Sequence, residues 1–419
     1  MTISYDDKKM RADLSATDRI TPREIMDARQ ELIKLHQTGE QGWFKILDDK
    51  KHISEIKKAV KQFNKFKHLL VLGIGGSDLG ARAILAALRA EGKKTQVHFA
   101  GNTTDPDEIS AVFDKIPWKQ TAINVISKSG STLETMSVFF EAKERLERTV
   151  GKTKAAKAII CTTDPEQGAL LNFALKNNYT TLSVPKNIGG RFSVLTSVGL
   201  FPVAMAGLNI DKILTAATKL RDNWLKYGGT SHMIDQFAAH HIAHYAKKRH
   251  INVLFTYSSA LKQIGNFYRQ IWAESLGKST AAGPTPIAAL GPTDQHSQLQ
   301  LYQDGPDNKV YTFLNVENFN SKLKISKSIS KIENLSYAKG HTFADLIHAA
   351  LDGTSKALIN QNKPVGILNI KKIDEAAIGE LIIFYEIATA MAGLIMNINP
   401  FDQPGVEDSK HRVKEILSK

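Results

Sequence analysis

Nine residues, Ser127-Lys128-Ser129-Gly130-Ser131-Thr132-Leu133-Glu134-Thr135, carry five hydroxyls beside a lysine and a glycine. One or two hydroxyls suffice to cap a helix start. Five exceed that need and suit the oxygens of a phosphate monoester, which the N–H groups and dipole at a strand–helix junction also attract. A second junction, Val71-Leu72-Gly73-Ile74-Gly75-Gly76-Ser77-Asp78-Leu79-Gly80, is rich in glycine. Its glycines allow a backbone to close on an anion, and equally allow a purely structural tight turn. Asp78 stands where the third glycine of a G-x-G-x-x-G fingerprint belongs, which argues against a dinucleotide. Gly277-Lys278-Ser279-Thr280 imitates the end of a nucleotide P-loop, but Trp272 fills the position of its first glycine.

Residue types suited to acid/base work occur in three further places. Glu274 closes the helical stretch Ala260–Gly277, and read alone it is a surface glutamate. His296 follows the turn Gly291-Pro292-Thr293-Asp294-Gln295 and could equally be a helix-capping neighbour. His240, His241 and His244 include an i, i+4 pair of metal-ligand spacing, but no H-E-x-x-H motif accompanies it and the structural reading is preferred.

The elements that must position these residues alternate between β-rich and helical runs. His68–Leu72 precedes Asp78–Ala90, Gln96–Ala100 follows, Ala122–Ser127 precedes Leu133–Arg148, and Ala158–Thr162 precedes a helical run over 166–177. Such alternation is the mark of a parallel sheet covered by helices. A helical stretch from Asp211 to Lys248 leads to a second set of apolar runs, Ile251–Tyr257, Lys309–Val316 and Val365–Ile370. The expected division is a helical segment 1–59, an α/β domain over 60–210, a second over 211–399, and a C-terminal tail over 400–419 with a turn and a short amphipathic helix. No low-complexity linker separates the two domains, so tight packing is expected.

Composition narrows the classes. The 419 residues, 42% of them hydrophobic, hold more apolar material than one ordinary core uses. The formal charge of +13 would attract anionic metabolites, acidic membranes or nucleic acid. The basic clusters, Lys50 and Lys51, Lys57 and Lys58, Lys93 and Lys94, Lys247 to Arg249, and Lys322 to Lys331, lack the interleaved aromatics of a nucleic-acid platform and read as solvated faces. The apolar segment 376–398 is long enough for a membrane span but contains Glu380 and Glu386, so a buried core helix is expected. A polar N-terminus with no export signal and a single cysteine, Cys161, fit a cytoplasmic protein.

Two segments give these scattered residues a common meaning: Asn187-Ile188-Gly189-Gly190-Arg191-Phe192-Ser193 and Phe401-Asp402-Gln403-Pro404-Gly405-Val406-Glu407-Asp408-Ser409-Lys410. Together with the two phosphate-type loops, Glu274 with Gly277-Lys278, and Gln295-His296, they make the chain resemble the glucose-6-phosphate isomerase family over most of its length. The resemblance implies an α/β fold of two sugar-isomerase (SIS-type) domains, each a doubly wound parallel sheet flanked by helices, plus a C-terminal helical tail. It also implies a homodimer with a shared active site, a sugar-phosphate substrate, and neither metal nor cofactor. By that likeness Gly76, Ser77, Ser127, Ser129 and Thr132 hold the substrate with Lys128 beside them, and Gly190 and Gln403 are further contacts. Glu274 looks like the base that moves a proton between C2 and C1, Arg191 like the cation beside the enediolate, and His296 and Lys410 like the ring-opening pair, with His296 arriving from the partner subunit.

Departures are few. The N-terminal arm of larger members is missing, Pro292-Thr293-Asp294 replaces a glycine-containing turn before Gln295-His296, and the setting of Glu274 differs slightly. Elementary chemistry agrees with the allocation. An aldose–ketose exchange through an enediolate needs one carboxylate that takes and returns a proton and a fixed cation in a water-poor site. A dual phosphoglucose/phosphomannose isomerase and a non-catalytic sugar-phosphate sensor are the competing readings.

Overall fold

The computed structural model describes residues 1–90, 94–280 and 282–418; Lys93, in one of the expected basic clusters, lies outside them. Ten strands among the described residues are β1 (Ile3–Asp6), β2 (His68–Leu72), β3 (Gln96–Ala100), β4 (Thr121–Ile126), β5 (Ile159–Thr163), β6 (Thr180–Ser183), β7 (Ile251–Thr256), β8 (Thr285–Leu290), β9 (Lys309–Asn318) and β10 (Val365–Lys372). They form two five-stranded sheets, ordered β3-β2-β4-β5-β6 and β1-β10-β9-β7-β8. The first is parallel throughout. β4 and β5 are buried at every position, as strands covered on both faces must be, which is why they read as mostly apolar runs.

The second sheet departs from the expected all-parallel form. β1 runs antiparallel along β10, with Ile3 opposite Ile370 and Asp6 opposite Ile367, so the segment expected to be helical also supplies a strand. Glu380 fastens it, accepting from the Thr2 N–H (2.6 Å), the Thr2 hydroxyl (2.8 Å) and the Ile3 N–H (3.1 Å). β6 and β8 were not expected either. β8 contains Pro286, which cannot donate to a ladder, and it survives because it is the edge strand. The stretch 211–248 is two helices, Ile210–Lys226 and Met233–Ala246.

The helix Glu375–Ile395 has the length and apolarity of a membrane span, but it is buried along most of its length inside the protein. It packs on Ile210–Lys226, Met233–Ala246, Lys262–Leu276 and Pro22–Thr38. One apolar core therefore runs from β2 and β4 through these helices to β9 and β10, and the halves share it. The histidine group sits in this region. The Nδ1 of His241 lies 2.7 Å from the Phe237 carbonyl and its Nε2 3.1 Å from the Thr312 hydroxyl, while the Nε2 of His244 lies 2.9 Å from the Met10 carbonyl. Those contacts are structural. Cys161 is buried in β5, where burial pushes its thiol up to about 12.

In each sheet the chain leaves its first central strand to one side and then crosses to the other. The reversals fall between β2 and β4 and between β7 and β9, and the crevices beyond the carboxyl ends of such strand pairs are where open α/β sheets take ligands.

Candidate active site

A cavity of about 900 Å³ opens beyond the carboxyl ends of β2 and β4. At one end lies the hydroxyl loop. The Ser127 hydroxyl is 3.1 Å from that of Thr132 and accepts the Gly130 N–H at 3.1 Å, while Ser129 and Ser131 share a 2.8 Å contact. Gly130 has φ +72°, and a Cβ there would lie 2.1 Å from the Leu170 nitrogen, so only glycine lets the loop seat on the helix Ala169–Lys176. Thr132 precedes the helix Leu133–Val150 without capping it, so its hydroxyl and the positive helix end are both available to an anion. Of the five hydroxyls, Ser127, Ser129 and Thr132 line the cavity. Thr135 instead is buried and donates to the Gly101 carbonyl.

The glycine loop supplies the neighbouring wall. Gly75 has φ +60°, and a Cβ on Gly76 would lie 2.2 Å from the Gly190 carbonyl oxygen. The 73–77 and 189–191 loops thus touch backbone to backbone. Asp78 is a structural residue: it is buried, it forms a two-point pair with Arg82 at 2.9 and 3.0 Å, and burial raises its carboxyl against the pull of that arginine.

The opposite end is assembled from distant segments. Arg191, its side chain only 1% exposed, lies 3.3 Å from the Glu274 carboxylate. Its Nε donates to the Ser275 hydroxyl (2.7 Å), and its terminal nitrogens donate to the Gln403 side chain and to the carbonyls of Pro400 (2.6 Å) and Asp402 (2.8 Å). Burial draws the guanidinium down from its usual range, and Glu274 and Asp402 oppose that. Glu274 also accepts from the Gln270 amide at 3.1 Å. Lys278 donates to the Glu274 carbonyl (3.2 Å) and pairs with the Asp402 carboxylate (2.9 Å), so it anchors the tail rather than any nucleotide.

All the expected residues except His296 line this cavity: Gly76, Ser77, Ser127, Lys128, Ser129, Thr132, Gly190, Arg191, Glu274, Gln403 and Lys410. Two of them differ in detail from expectation. Lys128 donates to the carbonyls of Lys186 (2.7 Å) and Ile188 (3.1 Å), bracing the approach to Arg191 rather than extending freely. Burial lowers its ammonium, with Asp164 opposing. Lys410 sits on the exposed helix Glu407–Leu417, paired with Glu407 at 2.7 Å. His296 is exposed and outside the cavity, at the end of a turn that Gln295 ties to the carbonyl of Ala350.

Sequence reasoning missed Asp164, Gln167, Lys186 and Gln270, which also line the cavity. Gln270 had a usable signal, since it stands one turn before Glu274 on the same helix face.

An anion loop facing a buried arginine and its carboxylate partner, on paired open sheets, is the arrangement of an α/β protein of sugar-isomerase type. Solved structures agree on the fold: a glucose-6-phosphate isomerase from Chlamydia trachomatis aligns over all of this chain and 88% of its own at TM-score 0.80 and 21% identity. A hypothetical protein from Thermus thermophilus aligns over the whole of both chains at TM-score 0.89 and 28% identity. The family model for phosphoglucose isomerase matches residues 45–419. Glucose-6-phosphate isomerases from Rubrobacter xylanophilus, 37% identical over 81% of this chain and 80% of theirs, and Carboxydothermus hydrogenoformans, 34% identical over 91% and 86%, are among its relatives. The chain belongs to the phosphoglucose isomerase family.

Proposed function

We infer that this cavity is where the chain interconverts glucose 6-phosphate and fructose 6-phosphate. The observation that carries the reading is the Glu274 carboxylate, held against a buried arginine across the cavity from the hydroxyl loop. The substrate phosphate sits on Ser127, Ser129, Thr132 and Ser77, over the start of the helix Leu133–Val150. That fixes C1 and C2 beside Glu274, which takes the proton from one carbon, leaving a cis-enediolate, and returns it to the other. Arg191 supplies the compensating charge; its hydrogen bonds to Ser275, Gln403 and the tail carbonyls hold it in place before the charge develops.

Ring opening falls to Lys410 and to His296 of the partner subunit, one donating to the ring oxygen and the other accepting the C1 hydroxyl proton. A homodimer with a shared site is supported by the apolar side chains left exposed at Leu323, Ile332, Tyr337, Phe343 and Leu346. Phe343 and Leu346 lie on the helix Phe343–Asn360, to which the His296 turn is tied, and the Leu323 carbonyl accepts the Phe343 N–H. The division into domains 60–210 and 211–399 with a tail from 400 goes with this reading, because Arg191, Glu274 and Gln403 then come one from each unit. So does residence in the cytoplasm, where a lone buried Cys161 has nothing to crosslink.

The test is conversion of fructose 6-phosphate, read by a coupled glucose-6-phosphate dehydrogenase, in wild type and Glu274→Gln. Activity in the wild type that falls by about 10²–10⁴ in the variant, with KM little changed, is expected. A wild type that binds the sugar phosphate without turning it over would make the chain a sensor.

A further inference from the structure

The second sheet has its own reversal crevice, and it is not empty of chemistry. A cavity of about 390 Å³ lies beyond the carboxyl ends of β7, β9 and β10, within the size range of small-molecule sites. It mirrors the catalytic cavity in construction. β2 leads through the tight turn Gly75–Ser77 into the helix Leu79–Ala87, and β7 leads through the tight turn Ser259–Leu261 into the helix Lys262–Leu276. Those two helices pack on each other. The end of the second supplies Gln270 and Glu274 to the catalytic cavity, and the end of the first supplies Ala87 to Arg89 to the other.

We propose that this crevice binds a small polyhydroxylated anion, of the sugar-phosphate or sugar-acid kind, independently of the catalytic cavity. Ser258 is 5% exposed and lines the crevice. It occupies the cap position of the Ser259–Leu261 turn, yet its hydroxyl caps nothing, and that hydroxyl has no hydrogen-bond partner among the described residues. An unpartnered hydroxyl on a residue otherwise buried, opening on a cavity, is a donor available to a ligand acceptor. Arg89 and Lys372 line the same space, and neither has a carboxylate partner among the described residues. Asp374 accepts the Ala377 N–H and so is committed to starting the helix Glu375–Ile395, whose positive end opens on the crevice. Glu375 also lines the crevice, so its two cations stand against two carboxylates, but neither cation is paired with either carboxylate among the described residues and both are open to a ligand anion. Where the catalytic cavity has its run of hydroxyls, this one has the amides of Asn318 and Asn320, which serve the hydroxyls of a polyol as donor and acceptor. No counterpart of the Arg191–Glu274 pair lines it among the described residues, so the crevice binds its ligand without turning it over.

Calorimetric titration of the full chain with 6-phosphogluconate, and separately with gluconate, tests this. Two equivalents of 6-phosphogluconate per chain are expected in the wild type, and one in Ser258→Leu, which fills the crevice. Arg89→Glu, a surface change that should fold normally, is expected to weaken the second event at least tenfold, and both variants should isomerise fructose 6-phosphate within twofold of wild type. A gluconate event lost in the same variants identifies the sugar acid as sufficient; its absence identifies the phosphate as required. One equivalent per chain throughout, or a second event unaltered by both variants, overturns the proposal. Because isomerisation is read separately, a wild type that fails to isomerise but binds two equivalents would sink the catalytic reading alone.

Discussion

The two ends of the catalytic cavity are built in opposite ways. The phosphate end is local: Ser127, Ser129 and Thr132 come from one loop, fixed by Gly130 on the neighbouring helix and by contacts within six residues. The reacting end is assembled over more than 200 residues of chain, with Arg191 reaching to Ser275, Pro400 and Gln403. A local loop tolerates the loss of one donor. An assembled clamp does not, because each partner orients the others.

That contrast is open to breaking, beginning where the effect is largest. After the Glu274→Gln loss, Arg191→Lys is the severest expected change, about 10²–10³ in kcat, because a lysine cannot reproduce the fork that meets Ser275, Gln403 and two carbonyls while facing Glu274. If kcat stays within fivefold, the clamp is not what sets the charge. His296→Ala sharpens the comparison by adding a second chain to the reacting end. Mixed with inactive Glu274→Gln under conditions of subunit exchange, it should regain activity that neither variant has alone; no recovery would mean that the histidine acts within its own chain or not at all.

Smaller effects belong to the phosphate end. Ser129→Ala removes one neutral donor, of about 1 kcal/mol, and steady-state kinetics should show KM raised roughly fivefold with kcat near wild type. A kcat loss as large as that of Arg191→Lys would erase the distinction between the two ends. The gentlest change is in pH and acts on the shared core. Burial pulls His241 down to about 3 and His244 down to about 4, against about 6.5 in an unfolded chain. Between those limits the unfolded state binds protons that the native state refuses, so stability present above pH 6.5 falls as pH drops toward 4. Thermal unfolding should show Tm falling over that window, with a shallower fall in His241→Gln; a flat Tm from pH 7 to 4.5 would contradict the burial assignment.

The same contrast explains what was legible in the sequence. Ser127–Thr135 announced itself because its parts are adjacent, and β2, β4 and β5 did so because strands buried on both faces are mostly apolar. Glu274 looked like a surface residue because its partner is Arg191, far back along the chain, and only the resemblance joined them. Gln270 was overlooked for the same reason. β6, four residues with three hydroxyls, and β8, with its proline, carry their strand identity in neighbours rather than in their own composition. β1 was hidden because Ile3–Asp6 is short and polar, and its partner β10 lies near the other end of the chain.

That last strand also bears on how the molecule behaves in company. With β1 in place, Ile367 to Ile370 of β10 have strand neighbours on both sides. Stripped of it, by proteolysis or by a fusion that pulls Thr2 off Glu380, β10 would present a rim of bare amides and carbonyls over Ile367 to Ile370, the form of edge that recruits strands from other molecules. A few polar residues thus serve as a seal against self-association, and their loss should be felt first as precipitation, with the catalytic groups still intact.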